Sequence, residues 1–468
     1  MDTQAGRANL GLIGAIVAVA TIGGLLFGYD SGAVNGTQPG LKAAFALDDA
    51  GLGFTVGSLL IGCFIGAFFA GTLADRLGRR NVMRLSAILF LGGAIVQGLA
   101  HDHTLFVIAR IIGGMAVGAA SVLSPAYISE VAPANIRGRM TTVQQIMIIT
   151  GLTAAFFVNY YLAAAAGSST SIFWGDIEAW RWMYLMQAIP AAVFLIALFF
   201  IPESPRYLVS KRRNEEALHV LTRLYGATEG GLKLAEIQAS FSSDHRPRLA
   251  DVLTPGGFLG VRPIVWAGLV LAVFQQLVGI NVIFYYGATL WQAAGFTEND
   301  SLIINIISGG ISILACFVTI GLVDKIGRKP LLLIGSAGMT VTLFIMVYAF
   351  STGTIEGATL VLPGSMGQVA VAAALAYSAF FNISWGPVMW VMLGEMFPNQ
   401  MRGSALAVCG FAQWFANYLV AQSFPVMLAS LGLATSYSFY AICAAISFFL
   451  VQKFIKETKG KELEAMEG

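Results

Sequence analysis

Asp75-Arg76-Leu77-Gly78-Arg79-Arg80 is answered 249 residues further on by Asp324-Lys325-Ile326-Gly327-Arg328-Lys329. Each hexapeptide closes one apolar stretch and opens the next. A second pair keeps the same order: Glu130-x-x-Pro133-x-x-x-Arg137-Gly138 and, 265 residues later, Glu395-x-x-Pro398-x-x-x-Arg402-Gly403. A third, Pro202-Glu203-Ser204-Pro205-Arg206 and Lys456-Glu457-Thr458-Lys459-Gly460, ends each copy. One match alone is weak, but three in one order argue for an internally duplicated chain.

Between these motifs the chain is apolar. Hydrophobic types make up 57% of the 468 residues and charged types 11%, against roughly a quarter charged in a soluble domain. Too few polar groups exist to cover a water-facing surface, which excludes a soluble enzyme, a disordered chain and a nucleic-acid binder. A helix needs about 20 apolar residues to cross the ~30 Å hydrocarbon layer. Stretches of that kind fall near 10–34, 51–74, 83–100, 104–129, 141–165, 182–201, 263–292, 301–323, 330–351, 368–394, 403–430 and 435–455. A hydrophilic break from Pro202 to Arg262 divides them six and six. The predicted fold is an all-α polytopic membrane protein of twelve transmembrane helices in two pseudo-symmetric six-helix halves, 1–201 and 263–468, joined by a cytoplasmic helical linker over 202–262. Within the linker, Ala217, Leu218, Leu221, Leu224 and Tyr225 recur at helical spacing, which predicts a short amphipathic helix.

Charge placement gives the orientation. With the N-terminus in the cytoplasm, 24 of the 27 Lys and Arg residues fall in cytoplasmic segments, the bias that sets topology. Both termini are therefore expected on that side, and the short loops favour a bacterial cell (inner) membrane. The N-terminal stretch runs into the first span without a small-residue cleavage site, so an uncleaved span is expected. Cys63, Cys316, Cys409 and Cys443 are scattered singly, without histidine partners, and predict neither a disulfide nor a metal site.

Two six-span halves built as a parallel repeat are the mark of the major facilitator fold. The two Asp-x-x-Gly-Arg-[Arg/Lys] loops, Pro202 to Arg206, Gln275-Gln276-Leu277-Val278-Gly279-Ile280-Asn281 and the closing Glu457 to Gly460 together resemble the sugar porter family of that superfamily. The resemblance runs from the first span to the C-terminus. It implies a monomeric transporter in the lipid bilayer that carries a monosaccharide, D-glucose first among hexoses and pentoses, without a cofactor.

At the cytoplasmic ends, Asp75, Arg79, Glu130, Arg137, Asp324, Arg328, Glu395 and Arg402 pair acids with arginines. They are expected to form salt bridges between helix ends of one half and across to the other, an inner gate that breaks on opening. Glu203 and Arg206 are placed in the same network.

Ionisable groups at membrane depth are costly and point to function. Asp30 and Arg110 alone sit well inside spans, and at ~1.5 Å per residue both reach a similar depth. A carboxylate alternately paired with and released from an arginine can cycle its proton affinity; a permanent brace between two helices is the plainer alternative. In sugar porters an aspartate at the position of Asp30 resembles the proton-coupling acid, although some facilitative members keep it.

Sugar recognition uses planar amides for hydroxyl pairs and aromatic faces for the ring. Gln145, Gln275, Gln276, Asn281, Gln413 and Asn417 are amides in apolar spans. At ~100° per residue, Gln276 and Asn281 point about 140° apart and converge only if the helix bends, which Gly279 permits. Ser384-Trp385-Gly386-Pro387 marks a similar interruption in the tenth span. By resemblance, Gln145, Gln275, Gln276, Asn281, Trp390 and Gln413 match sugar-contacting positions, and Phe27, Tyr285, Tyr286, Gly386, Trp414 and Asn417 line the cavity or its outer gate. Ser312 stands where many relatives have a contacting asparagine. Gly24, Gly28, Gly32 and Gly36 form a small-residue ridge, read as plain close packing, with a surface that lets the halves rock as the alternative.

The expected activity is proton-coupled monosaccharide symport by alternating access. The alternatives are a facilitative uniporter using the same site and, more remotely, a non-transporting sugar receptor. No nucleophile, base or metal cluster shares a cavity, so no enzyme activity is expected.

Overall fold

A segment that crosses a bilayer must pair all its backbone N–H and C=O groups within itself, which leaves the helix as the solution for single spans. The computed structural model describes residues 8–133, 137–243, 252–254, 257–356, 359–398 and 401–459, of which 137–142, 240–243, 356, 359 and 402 are described in backbone only. The first half contains α1 (Leu10–Phe45), α2 (Asp49–Leu77), α3 (Arg79–Leu99), α4 (His103–Val131) and α5 (Arg137–Ala166). Its sixth crossing is split into α6 (Ala179–Leu185) and α7 (Ala188–Ala197). Pro190 is the cause, because it has no N–H to give to the Met186 carbonyl. Three short helices follow, α8 (Pro205–Ser210), α9 (Asn214–Tyr225) and α10 (Ala227–Ser243).

The second half repeats the plan. It comprises α11 (Pro263–Leu277), α12 (Ile280–Ala293), α13 (Glu298–Ile326), α14 (Arg328–Ser351), α15 (Met366–Ile383), α16 (Trp385–Met396) and α17 (Arg402–Phe454). Eleven helical segments among the described residues are long and apolar enough to span a membrane. The last of them, α17, turns at Gly432 (φ 78°, ψ 174°) and supplies both the eleventh and the twelfth crossing. Twelve crossings put both chain ends on one face, here called the termini face. Two small hairpins, Ile172–Trp174 with Ile177–Glu178 and Thr354–Glu356 with Thr359–Val361, lie in loops of the distal face.

Several boundaries differ from the sequence reading. α1 continues to Phe45, well past the predicted end at 34, because Asn35, Thr37 and Gln38 are buried against other helices rather than released to water. In α9 the buried stripe is Ala217, Val220, Leu221, Leu224 and Tyr225, while Leu218 faces outward. The four cysteines are free and buried.

The glycine ridge of α1 packs against α5. A Cβ on Gly28 would fall 1.7 Å from the Ile148 carbonyl oxygen, and one on Gly32 would fall 2.6 Å from that of Leu152. Asn159 of α5 donates to the Gly32 carbonyl at 2.7 Å. The ridge therefore locks two helices of the same half together, as close packing predicts, and the alternative that it lets the halves rock is set aside.

At the termini face the duplicated motifs make the same contacts. Gly78 (φ 97°) and Gly327 (φ 104°) take the positive φ that lets α2 turn into α3 and α13 into α14. Glu203 Oε1 then accepts from the Arg79 and Arg80 amides at 3.0 and 3.2 Å. Glu457 does the same for Arg328 and Lys329, at 3.1 and 3.0 Å. Each carboxylate thus caps the N-terminus of the first helix after a motif, where the helix dipole favours negative charge.

Candidate functional site

Two broken spans meet midway along the bundle. α11 ends at Leu277, and Gly279 takes a left-handed conformation (φ 86°, ψ 15°) before α12 begins. α15 ends at Ile383, and Ser384 is non-helical (φ −127°, ψ −89°) before α16. Breaking a helix frees carbonyls that must be paired in an apolar interior. Tyr377 OH serves the Val278 carbonyl at 2.7 Å, and Thr319 Oγ1 serves those of Asn382 and Ile383 at 3.0 and 2.9 Å.

Gln275 joins the two breaks. Its Nε2 donates to the Trp385 and Gly386 carbonyls at 3.2 and 3.4 Å, and its Oε1 accepts from Gln276 and Gln413, each at 3.1 Å. From there an unbroken chain runs on. Asn281 Nδ2 donates to Gln276 Oε1 at 2.6 Å and to Asn417 Oδ1 at 2.9 Å, and Asn417 Nδ2 donates to Tyr285 OH at 3.1 Å. Five amides and a phenol from α11, α12 and α17 thus form one array of exchangeable donors and acceptors. Next to Gln413 in the chain, Trp414 of α17 meets Phe27 of α1 edge to face, with centroids 5.2 Å apart. Tyr286 is fully buried and donates to the Ala421 carbonyl at 2.7 Å.

Three expected residues stand apart from the array. Gln145 is partly buried on α5 and is not bonded to it. Trp390 is 38% exposed on α16. Ser312 is buried on α13 with its Oγ unpartnered.

Asp30 and Arg110 are both 1% exposed, and Arg110 Nη2 lies 3.5 Å from Asp30 Oδ2. Arg110 also lies over the Tyr184 ring, 5.9 Å from its centroid. A small cavity of about 10 Å³ touches Asp30, Ser31, Arg110 and Tyr285, so the ion pair and the amide array share Tyr285.

The ion pairs at the termini face run within each half. Arg79 bridges Asp75 at 3.0 Å and Glu130 at 3.1 Å. Arg328 bridges Asp324 at 3.0 Å and Glu395 at 2.8 Å. Ser204 Oγ adds a hydrogen bond to Glu130, and Thr458 Oγ1 adds one to Glu395 at 2.7 Å. The charge of Arg206 acts on Glu130. Among the described side chains these pairs stay within one half; the side chains of Arg137 and Arg402 lie outside the described residues.

A cluster of hydrogen bonds that cross between halves lies toward the distal face. Asn35 of α1 donates to the Phe284 carbonyl at 2.8 Å and accepts from the Ala288 amide at 2.9 Å and from Asn305 at 2.8 Å. Gln38 donates to the Tyr285 carbonyl and accepts from Thr289. Sequence reasoning missed Asn35 and Gln38. The available signal was their helical spacing from Ser31 along the same face of α1.

Duplicated halves, two broken spans facing each other and a buried ion pair together define a polytopic membrane transporter. A family model described as "Sugar (and other) transporter" matches residues 16–468. The chain belongs to the sugar porter family of the major facilitator superfamily, a family of transporters rather than enzymes. It is 45% identical over 460 residues to a glucose transport protein of Synechocystis sp., covering 98% of both chains. It is 39% identical over 500 residues to the D-xylose-proton symporter of Escherichia coli, covering 100% of this chain and 97% of that one. Among solved structures it resembles a partially occluded inward open conformation of the xylose transporter XylE from E. coli, with a TM-score of 0.82, 36% identity and coverage of 97% and 100%. The same transporter bound to 6-bromo-6-deoxy-D-glucose gives a TM-score of 0.80 at 38% identity, covering 98% and 99%.

Proposed function

We propose that this sugar transporter carries D-glucose into the cell together with a proton, by alternating access. The observation that carries the reading is the buried Asp30–Arg110 pair, set against a cavity that Tyr285 shares with the amide array. Protonating Asp30 weakens its hold on Arg110, and sugar binding reorders the array through Tyr285, so the two events bear on the same contact between halves. Gln275, Gln276, Asn281 and Gln413 bind the sugar hydroxyls, with Gln145 and Trp390 joining from α5 and α16 when the halves close. Phe27, Tyr285, Tyr286, Gly386, Trp414 and Asn417 line the path.

Residues 1–201 and 263–468 move as two units, with 202–262 as the cytoplasmic linker. The Asn35 and Gln38 contacts seal the distal, extracellular side, while the within-half ion pairs at the termini face leave the cytoplasmic side free to open. This supports an inward-facing state in a bacterial inner membrane, both termini being cytoplasmic. The glucose transport protein of Synechocystis sp. favours glucose as the substrate, while D-xylose and arabinose symporters among the relatives keep pentoses as competitors to test.

Purified protein in proteoliposomes tests the reading. Labelled D-glucose should accumulate only under an inward proton gradient, and unlabelled glucose should compete better than xylose, arabinose or myo-inositol. Uptake that stops at the external concentration whether the gradient is imposed or collapsed would identify a uniporter instead.

A further inference from the structure

Both partners of the buried ion pair are backed by a neutral amide. Asp30 Oδ1 accepts from Gln187 Nε2 at 3.3 Å, on the side away from Arg110. Arg110 donates Nη1 to Gln97 Oε1 at 3.3 Å and Nη2 to the Val56 carbonyl at 3.2 Å. Gln187 is fully buried, yet its Oε1 has no partner among the described residues. It occupies the joint between α6 and α7, where the helical ladder is already interrupted.

We propose that Gln187 is a positioning residue that serves Asp30 in both of its protonation states. This rests on the reading of Asp30 as the proton site. A carboxamide carries a donor and an acceptor of nearly the same shape, and a half-turn about its terminal bond exchanges them. Toward ionised Asp30 the amide presents Nε2–H. When a proton from the water outside bonds to Oδ1, the amide turns and the reserved Oε1 accepts the new O–H.

Arg110 then loses its ionic partner but keeps Gln97 and the Val56 carbonyl. When Asp30 releases the proton to the cytoplasmic side, the amide turns back. Gln187 itself gains and loses no proton. Neither state leaves an unmet hydrogen-bonding group on the Asp30 carboxyl, the condition that otherwise makes buried ionisable groups costly.

The other groups that face Asp30 are Arg110 on α4, Cys63 on α2, Tyr184 on α6 and Tyr285 on α12. Of these, Arg110 alone hydrogen-bonds the carboxyl. The Tyr184 hydroxyl is held by Thr37 and that of Tyr285 by Asn417. Gln187 is therefore the group placed to follow the proton.

The test compares uphill uptake and counterflow of labelled D-glucose in proteoliposomes over a range of external pH. Gln187→Leu should lose about tenfold or more of uphill uptake, the scale of one buried hydrogen bond to a charged group, with counterflow within about twofold. Gln187→Glu can donate when protonated and accept when ionised. It should recover uphill uptake with the pH midpoint moved to alkaline values, because two adjacent carboxyls share a proton.

Wild-type uphill uptake and pH profile in Gln187→Leu, with Asp30→Asn inactive in uphill uptake, would overturn this proposal alone. Uphill uptake surviving in Asp30→Asn would overturn the proton-site reading and the proposal with it. Should Gln187→Leu fail to insert, an unshifted midpoint in Gln187→Glu decides against the proposal by itself.

Discussion

Asn281 Nδ2 lies 2.6 Å from Gln276 Oε1, although five residues of continuous helix would point these side chains about 140° apart. The left-handed turn at Gly279 closes that angle, and Tyr377 takes up the carbonyl the turn frees. The binding array is thus a consequence of one backbone conformation.

Gly279→Ala should therefore damage the site more than the fold. A left-handed alanine costs ~1–2 kcal/mol, and its Cβ would lie 2.6 Å from the Tyr440 ring. The expected result is inserted protein whose KM for sugar rises about tenfold or more, the equivalent of ~1.4 kcal/mol or above. An unchanged KM would mean that the turn is not needed to assemble the amides.

Gln275 makes four hydrogen bonds, two of them to α16 across the two broken spans and two from the amides of Gln276 and Gln413. Gln275→Leu leaves two backbone carbonyls and two amides to find new partners, each worth ~1–3 kcal/mol when buried unmet. Sugar binding measured by tryptophan fluorescence or isothermal titration should weaken by roughly 30-fold or more, since each ~1.4 kcal/mol is tenfold. Gln413→Leu, at the end of the array, should cost less.

Much of this was legible in the sequence, because membranes punish polarity so heavily that every polar residue inside a span is informative. The burial of Asp30 and Arg110, the turn at Gly279 and the break at Ser384 could be read from residue type and position. Asn35 and Gln38 were missed despite their helical spacing from Ser31, because polar residues following Val34 look like the end of a span. Only packing against α12 shows that α1 continues. Gln187 escaped for a related reason. It carries no charge, sits beside a proline, and gains meaning only from Asp30, 157 positions away in the chain. The within-half ion pairs of Arg79 and Arg328 could be read from the repeated motifs, but a sequence cannot encode which conformation of a two-state gate is populated.

Glycine substitution separates packing from mobility. Gly28→Ala places a methyl carbon 1.7 Å from the Ile148 carbonyl oxygen, so α1 and α5 must separate. A loss of about 1–3 kcal/mol is expected for such overpacking, read as a lower Tm in detergent. Gly14→Ala, which meets nothing within 4 Å, should be neutral or slightly stabilising, since alanine is the better helix former. Equal Tm values for the two variants would refute the view that the ridge locks the helix pair.

The termini-face caps give a pH signature. Partial burial alone would raise the pKa of Glu457, but the amides of Lys459, Arg328, Lys329 and Thr458 outweigh it and hold the carboxyl below its usual range. A folded-state pKa below the unfolded one means that the stabilisation is complete above the unfolded value of about 4.3. It is lost as pH falls through the lower folded value. Wild type should therefore exceed Glu457→Gln in Tm by a constant margin at neutral pH, and the margin should shrink as the medium is acidified below about pH 4. The glutamine keeps the shape but not the charge, so a margin that persists unchanged at low pH would show that shape alone makes the cap.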